Sequence, residues 1–477
     1  MFNKLDLHDG VFWLCLFFLI GIALAILFAG SFYLVISGVL LFSLYFLLIK
    51  KNNLAWLVLF IIAGAVYYQI FSYFQLKNIN IPFGKEAEFS GLVEEVRGGA
   101  VQELKLSLTG EYKGDISVRL SPYPEFKYGD AVKITGKINR PEGQYSDYFL
   151  SRGIFGQINF PKIELSARDK GNFIKAKLFA FKENIKDIFK ASLPKEKAAF
   201  LAGITIGARE DFSKEFKDKM SLSGTTHLVA LSGYNISVIA MAVGLALSSF
   251  FSGVVSFYLS VLAIALFVLM AGAEASVVRA AIMGVIGLFA VRAERLFDPR
   301  NAVVIAAFIM ALFNPRVLVF DVGFQLSFAA LLGIVYLVPS LKNAFNTGSG
   351  GFLSWKENAI TAGAAQIMAL PILLSSFGIF SLTSILANIL ILEFIPTTMG
   401  IGFAMAFLGL FSGFLARILG VLTDLFISYE FFIINIFSKF SVPLKIEGVS
   451  FYLWAVYYLV IFIFVIYTYK RKDEKGI

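Results

Sequence analysis

Cysteine is almost missing from this 477-residue chain, where Cys15 stands alone. A single thiol can form no intrachain disulfide and no thiolate metal cluster. Histidine is nearly as scarce, with His8 and His227 only, so multi-histidine metal centres and Cys/His catalysis lack their raw material. No cofactor is expected. Charge is sparse as well: Asp, Glu, Lys and Arg make up 16% of the residues, against 58% hydrophobic and 52 phenylalanines. Soluble domains carry about a quarter charged residues, and the mean hydropathy here is +0.77. In place of charge there are long runs without any, at 11–28, 32–49, 54–74 and repeatedly beyond His227.

A bilayer core of about 30 Å takes about 20 apolar residues as helix, so the chain reads as a polytopic α-helical membrane protein with about twelve transmembrane helices. The first run is as long as a span, and a second follows after "AGS", so it reads as a retained helix and not a cleaved leader. Lys50 and Lys51 between spans, Arg292, Arg295 and Arg300 in "RAERLFDPR", and "KRKDEK" at the end mark cytoplasmic edges. Both termini are then expected in the cytoplasm of a bacterial inner membrane, and everything between 74 and the later bundle outside. The net charge of +9 fits basic cytoplasmic edges and equally a protein that handles an anion.

Five segments follow. Residues 1–79 form a three-helix membrane piece. Residues 80–166 change character: "EFSGLVEEVRGG", "VQELKLSLTGEY", "DISVRLS", "DAVKITGKI" and "IFGQINFPKIEL" are short alternating runs between turn residues. Five such strands suit a small all-β, OB-like barrel, or else a generic β lid. Its charges are nearly balanced, and Tyr112, Tyr123, Tyr128, Tyr145 and Tyr148 could stack on bases or simply pack. Residues 167–222 hold connecting helices. In the first, Ile174, Leu178, Phe181, Ile185 and Ile188 recur at helical spacing among lysines suited to lipid headgroups or to a polyanion. "AAFLAGITIGARE", with Gly203 and Gly207, is too short to cross and reads as buried or re-entrant. Asp211 or Ser213 caps the helix after it. Residues 223–470 carry spans near 226–250, 253–271, 275–291, 301–313, 318–338, 359–377, 381–411, 418–438 and 450–469, and 471–477 is a basic tail. The 381–411 run holds Glu393 and Pro396 and should be broken.

Polar groups at membrane depth are costly unless they face the bundle or water, which makes them the candidates for a transport path. They are His227, Ser232, Asn235, Glu274, Arg279, Asp321, Gln325, Gln366, Asn388 and Glu393. His227 stands at the mouth of its span, as a gate or as an interfacial cap. Ser232-Gly233 can bend the helix and free backbone groups. Arg279 suits a phosphate, or pairs with an acid. Glu274 lies about 140° away around the same helix, which leaves Asp321 as the alternative partner, unless that residue is a helix N-cap. Gln325, Gln366, Asn388 and Glu393 can bond cargo or neighbouring helices.

"SGTTHLVALSGYNISVIA" resembles the signature of the ComEC family of competence membrane proteins, which runs close to HLLAISGLHVGLVA. "LAGITIGAREDFSKEF", "AGAEASVVRAAIMG", "FNPRVLVFDVGFQLSFAALLGI" and "PILLSSFGIFSLTSILANILILEFIP" follow the family's order, and "YSDYFLSRGI" fits its N-terminal region. The resemblance implies a non-enzymatic inner-membrane channel that moves single-stranded DNA into the cytoplasm during natural transformation. A DNA receptor and a cytoplasmic motor protein would be its partners. Two departures stand out. The signature's second histidine is Asn235 here, a neutral amide that hydrogen-bonds but does not titrate. The metallo-β-lactamase-like nuclease domain of many members is not expected before Ile477, because two histidines cannot build its metal site. The alternative to the channel is a transporter of a small anion or of another anionic polymer. An intramembrane hydrolase using His227 and Ser232 is disfavoured, since no acid is placed to orient the histidine.

Overall fold

The computed structural model describes residues 7–28, 37–40, 43, 52–98, 101–142, 146–208, 212–229, 233–345, 355–381, 383–441, 443–445 and 451–475. The expected crossing at 32–49, Ser232, Tyr145 and Asp211 therefore lie wholly or mostly outside the described residues. The chain forms two compact units, one of Met1–Phe179 with Ile282–Asp321 and one of Ala180–Ala281 with Val322–Ile477.

In the first unit, α1 (Leu7–Leu27) and α2 (Asn52–Lys77) are apolar over most of their length and pack backbone against backbone. A Cβ on Gly64 would stand 2.1 Å from Phe18 O, and one on Gly21 would stand 2.0 Å from Ile61 O. Only glycine permits that approach, the small-residue logic of helix contact in lipid.

The β-domain starts straight after α2. Its strands are β1 (Glu86–Arg97), β2 (Gln102–Thr109), β3 (Gly114–Leu120), β4 (Ala131–Lys137), β5 (Ile154–Asn159) and β6 (Lys162–Ala167). Strand alternation drives every second side chain inward. Phe89, Val93, Leu104, Leu106, Ile116, Val118, Val132, Ile134 and Ile158 thus form one core. The expected fifth strand is two, because Phe160 adopts a left-handed φ of 51° and Pro161 cannot donate to a ladder. The sheet order is β5-β3-β2-β1-β4-β6, with β3 and β5 parallel and the short α3 (Ser146–Ser151) between β4 and β5. It is an open sheet and not the closed barrel expected. One bridge links its ends, where Asn139 and Gln157 exchange backbone bonds of 2.9 and 2.8 Å just past β4. This unit also contains residues 282–292, the later part of a helix that begins in the second unit, then α10 (Pro299–Phe313), started by Asp298 as N-cap, and the single turn α11 (Val317–Phe320). Tyr67 OH donates to Leu312 O at 2.5 Å, and Asn314 Nδ2 donates to Ser151 O at 2.5 Å, so the end of α10 touches both α2 and the β-domain.

The second unit contains the last part of the amphipathic α4 (Phe173–Ser192), the short α5 (Lys195–Ile206) and α6 (Lys214–Ser223). Further along come α7 (Gly233–Phe250), α8 (Gly253–Ala271) and α9 (Ala275–Arg292). One long apolar stretch, Val322–Ala344, is α12 (Val322–Leu332) and α13 (Val338–Phe345) joined through a wider π-turn at Gly333–Leu337. There Gly333 meets the Ala364 carbonyl too closely for any Cβ. Next are α14 (Trp355–Phe377), α15 (Ser384–Leu392), α16 (Ile395–Gly409), α17 (Gly413–Lys439) and α18 (Phe451–Lys475), plus a small β7 (Ile379–Ser381) and β8 (Pro443–Lys445) ribbon.

The break expected in 381–411 is present: α15 and α16 meet at 47°, around Glu393 and Phe394, with Pro396 in the first turn of α16. The span expected from 226 instead begins as a helix at Gly233. Among the described residues, seven helices are long and apolar enough to cross a membrane, or eight with the bent pair, and three shorter apolar helices accompany them. This is a helical, multi-pass membrane protein.

Candidate functional site

The signature stretch is held from both sides by backbone chemistry. Ser213 caps α6, accepting from Phe216 N at 3.2 Å, and Gly224 ends it in the left-handed region at φ 68°. Thr225 N then bonds Met220 O at 2.9 Å, closing the last turn as glycine-terminated helices do. Ser223 and Thr225 share a hydroxyl bond of 2.7 Å, both buried. Gly224 is needed twice over, since a Cβ there would also lie 2.3 Å from Ser384 Cβ. Ser384 in turn donates to Gln366 Oε1 at 3.1 Å. One of the candidate residues, Gln366, is thus brought to the signature turn through Ser384.

His227 follows in the 3₁₀ turn Thr226–Leu228. Its neighbours Leu228 and Val229 are buried, and its own side chain keeps accessible surface. Desolvation nevertheless holds its pKa below the usual histidine value, against a smaller opposing effect of a backbone bond with Gly224. Its imidazole is neutral at pH 7, a donor and acceptor and not a fixed cation.

Asn235 lies one turn into α7, buried, and its Nδ2 donates to Ile204 O at 3.1 Å. That carbonyl belongs to the last turn of α5, a helix buried from Ala198 to Ile206. Carbonyls at such an end have no intrahelical donor and carry the negative pole of the helix. Gly207 caps them at φ 62°. Lys182 of α4 adds its ammonium, 3.2 Å from Gly207 O and 3.3 Å from Met270 O at the end of α8. This lysine, which the sequence offered to lipid or polyanion, ties helix ends together. Gly203 admits Val229, whose Cγ1 would be 2.4 Å from a Cβ there. The signature turn therefore sits on the C-terminal end of a buried helix.

The other candidates are dispersed. Arg279 of α9 is 8% exposed. It donates through Nη1 to Ser327 O and lies 5.7 Å from the Phe328 ring centroid, both on α12, while Nε has no hydrogen-bond partner. No carboxylate among the described residues pairs with it, neither Glu274 nor Asp321. Glu274 stands before the first turn of α9, its carbonyl accepting from Val278 N at 2.9 Å. Asp321 ends α11, its N–H donating to Val317 O at 3.3 Å. Gln325 is half-buried on α12. Asn388 of α15 is 1% exposed with Oδ1 unsatisfied. Glu393 is exposed at the helix break and accepts from Asn358 Nδ2 at 2.8 Å. Gly233 is the first residue of α7.

In the β-domain, five basic groups are engaged by acids. Arg97 and Arg152 pair with Glu95, Lys105 with Asp115, Arg119 with Glu103 and Lys133 with Glu88. The Tyr148 hydroxyl accepts from Arg97 and Arg152 at 2.9 and 3.0 Å. Tyr128 packs on Phe179 and Tyr112 on the core. Tyr123, 77% exposed, is the described tyrosine of this domain most open to stacking on a base. No group of three or more His, Cys, Asp or Glu that could hold a metal occurs among the described residues.

A family model described as "Competence protein" matches residues 204–471, the stretch that begins at the Asn235-bound carbonyl and runs through the last helix. The chain belongs to this competence protein family. It is also similar to ComE operon protein 3 of Bacillus subtilis (strain 168), 27% identical over 276 residues, which is 56% of this chain and 34% of that protein. The chain thus matches about a third of the relative's length. No solved structure matches.

Sequence reasoning missed Ser384, Thr225 and Lys182, whose roles arise from contacts distant in sequence. It also missed Glu430, which the intramembrane-polar rule would have found, an acid inside "FISYEFF".

Proposed function

We propose that this protein conducts single-stranded DNA across the inner membrane during natural transformation. The observation that carries the reading is family membership across the membrane unit, together with a signature turn that presents a neutral imidazole. A strand of phosphates and bases needs donors and acceptors along a wet path, and His227 can offer both. The β-domain, an open sheet in which β1 pairs with β2 and β4 and β3 pairs with β5, forms the extracytoplasmic entry. The seven long helices, the bent pair and the three shorter apolar helices account for eleven of about twelve crossings, with both termini cytoplasmic. In support, α10 leaves the basic 292–300 loop and ends at Asn314 against the β-domain, so the two lie on opposite faces. A DNA receptor outside and a motor protein inside are the partners, and the chain carries out no chemistry on the strand.

The test is uptake of labelled duplex DNA by a deletion strain complemented with wild type or His227→Ala. Complementation by wild type alone, at equal membrane abundance of the two proteins, is the expected result. Normal cytoplasmic uptake without the gene refutes the reading. One observation favours transport of a small anion or another anionic polymer, namely the pairing of five of the β-domain's basic groups with acids. Binding of single-stranded oligonucleotides by the full chain, falling steeply with salt, decides against that alternative.

A further inference from the structure

One buried carboxyl has no use in the path described. Glu430 of α17 is 0% exposed. Its Oε1 is 2.7 Å from Thr398 Oγ1, and its Oε2 is buried without a hydrogen-bond partner. Helices α5, α6, α15 and α16 pack on α17. "SILANILIL" of α15 and "IPTTMGIGFAMAFLG" of α16 contain no charged residue. On α5, Lys197 is engaged 2.7 Å from both Asp424 Oδ1 and Ser428 Oγ, leaving Glu196 and Lys195 at its first turn. On α6, Lys219 pairs with Glu215, and the buried face is Phe216, Met220 and Ser223, with Lys214, Lys217 and Asp218 elsewhere on the helix. On α17 itself Arg417 and Lys439 lie toward the ends, and Tyr429 OH donates to Leu390 O. At the break, Glu393 is exposed. No cation reaches Glu430 among the described residues.

The hydrogen-bond count settles which species fits. Thr398 Oγ1 also lies 3.2 Å from Phe394 O, one turn earlier, and a threonine hydroxyl has one proton. If that proton goes to Phe394 O, Glu430 must supply the proton of the 2.7 Å contact. If it goes to Glu430, an ionised carboxylate is left with one bond and a bare oxygen among apolar helices, which burial penalises. A neutral acid satisfies the geometry; an anion does not.

We propose that Glu430 and Thr398 form a proton-binding latch between α17 and the bent α15–α16 pair. The carboxyl carries its proton while α16 packs on α17. It gives that proton to water, as hydronium, when α16 swings about the 393–394 break and wets the site. Only the O–H bond of the acid breaks, and the electron pair stays on the carboxylate. This inference stands whether or not DNA is the cargo.

The test uses the purified full chain in lipid nanodiscs. Infrared spectra at neutral pH should show a carboxylic-acid C=O band that shifts in D2O and is lost in Glu430→Gln, which keeps size and a donor for Thr398. Thr398→Val should keep the band at higher frequency. Raising the pH should speed hydrogen–deuterium exchange at 395–399 beyond its intrinsic rise in wild type and not in Glu430→Gln. A band unchanged in Glu430→Gln, or the same exchange response in both proteins, overturns the latch. If Glu430→Gln does not fold, the Thr398→Val band decides, and its absence or an unshifted frequency refutes the proposal.

Discussion

Arg279 and Asn235 show how one residue's neighbours choose among the meanings its chemistry allows. Arg279 was equally suited to a phosphate or to an acid. It received neither in this structure: its guanidinium is spent on a backbone carbonyl and the face of Phe328. A buried cation so placed supports helix contact, and truncation leaves a void, at about 3 kcal/mol. Arg279→Ala is accordingly expected to lower membrane abundance several-fold, read by immunoblot of fractionated membranes. Full abundance with lost uptake would instead place Arg279 in the path. Asn235 was legible as a hydrogen-bonding group from its side chain alone. Its partner, Ile204 O, was not, because a backbone carbonyl 31 residues away leaves no mark in side-chain pattern.

At the scale of elements, hydropathy located nearly every helix, since the bilayer length and the cost of a charge write themselves directly into composition. Boundaries were less visible. The span read from 226 opens with a 3₁₀ turn, directly after Gly224 closes α6. Likewise the last β run divides at Phe160, whose positive φ is set by tertiary fit and is uncommon for a bulky residue. Close helix contacts also escaped notice, although their glycines stand in plain view. Gly64→Leu should separate α1 from α2 and cost at least about 1–3 kcal/mol. Its thermal midpoint in nanodiscs should fall well below wild type. Gly10→Ala, with nothing within 4 Å of the added Cβ, should leave that midpoint unchanged.

The whole molecule poses the question of sidedness. With Cys15 replaced by Ser, Gly98→Cys in the β-domain should react with an impermeant thiol reagent on intact cells. Glu294→Cys in the basic loop should react only after permeabilisation. Labelling of both from outside would invert the proposed topology. By itself, the sequence determined the solvent of this protein, the place of most of its apolar helices, the β-rich insertion and the family signature. Each is a property of local composition, and a bilayer penalises wrong composition residue by residue. Only the tertiary structure decided that the sheet stays open, that Lys182 joins two helix ends, that Gly224 must yield to Ser384, and that Glu430 faces Thr398 without a cation. Those outcomes depend on a few tenths of an ångström between segments far apart in the chain, and close packing, unlike hydropathy, has no one-dimensional signature.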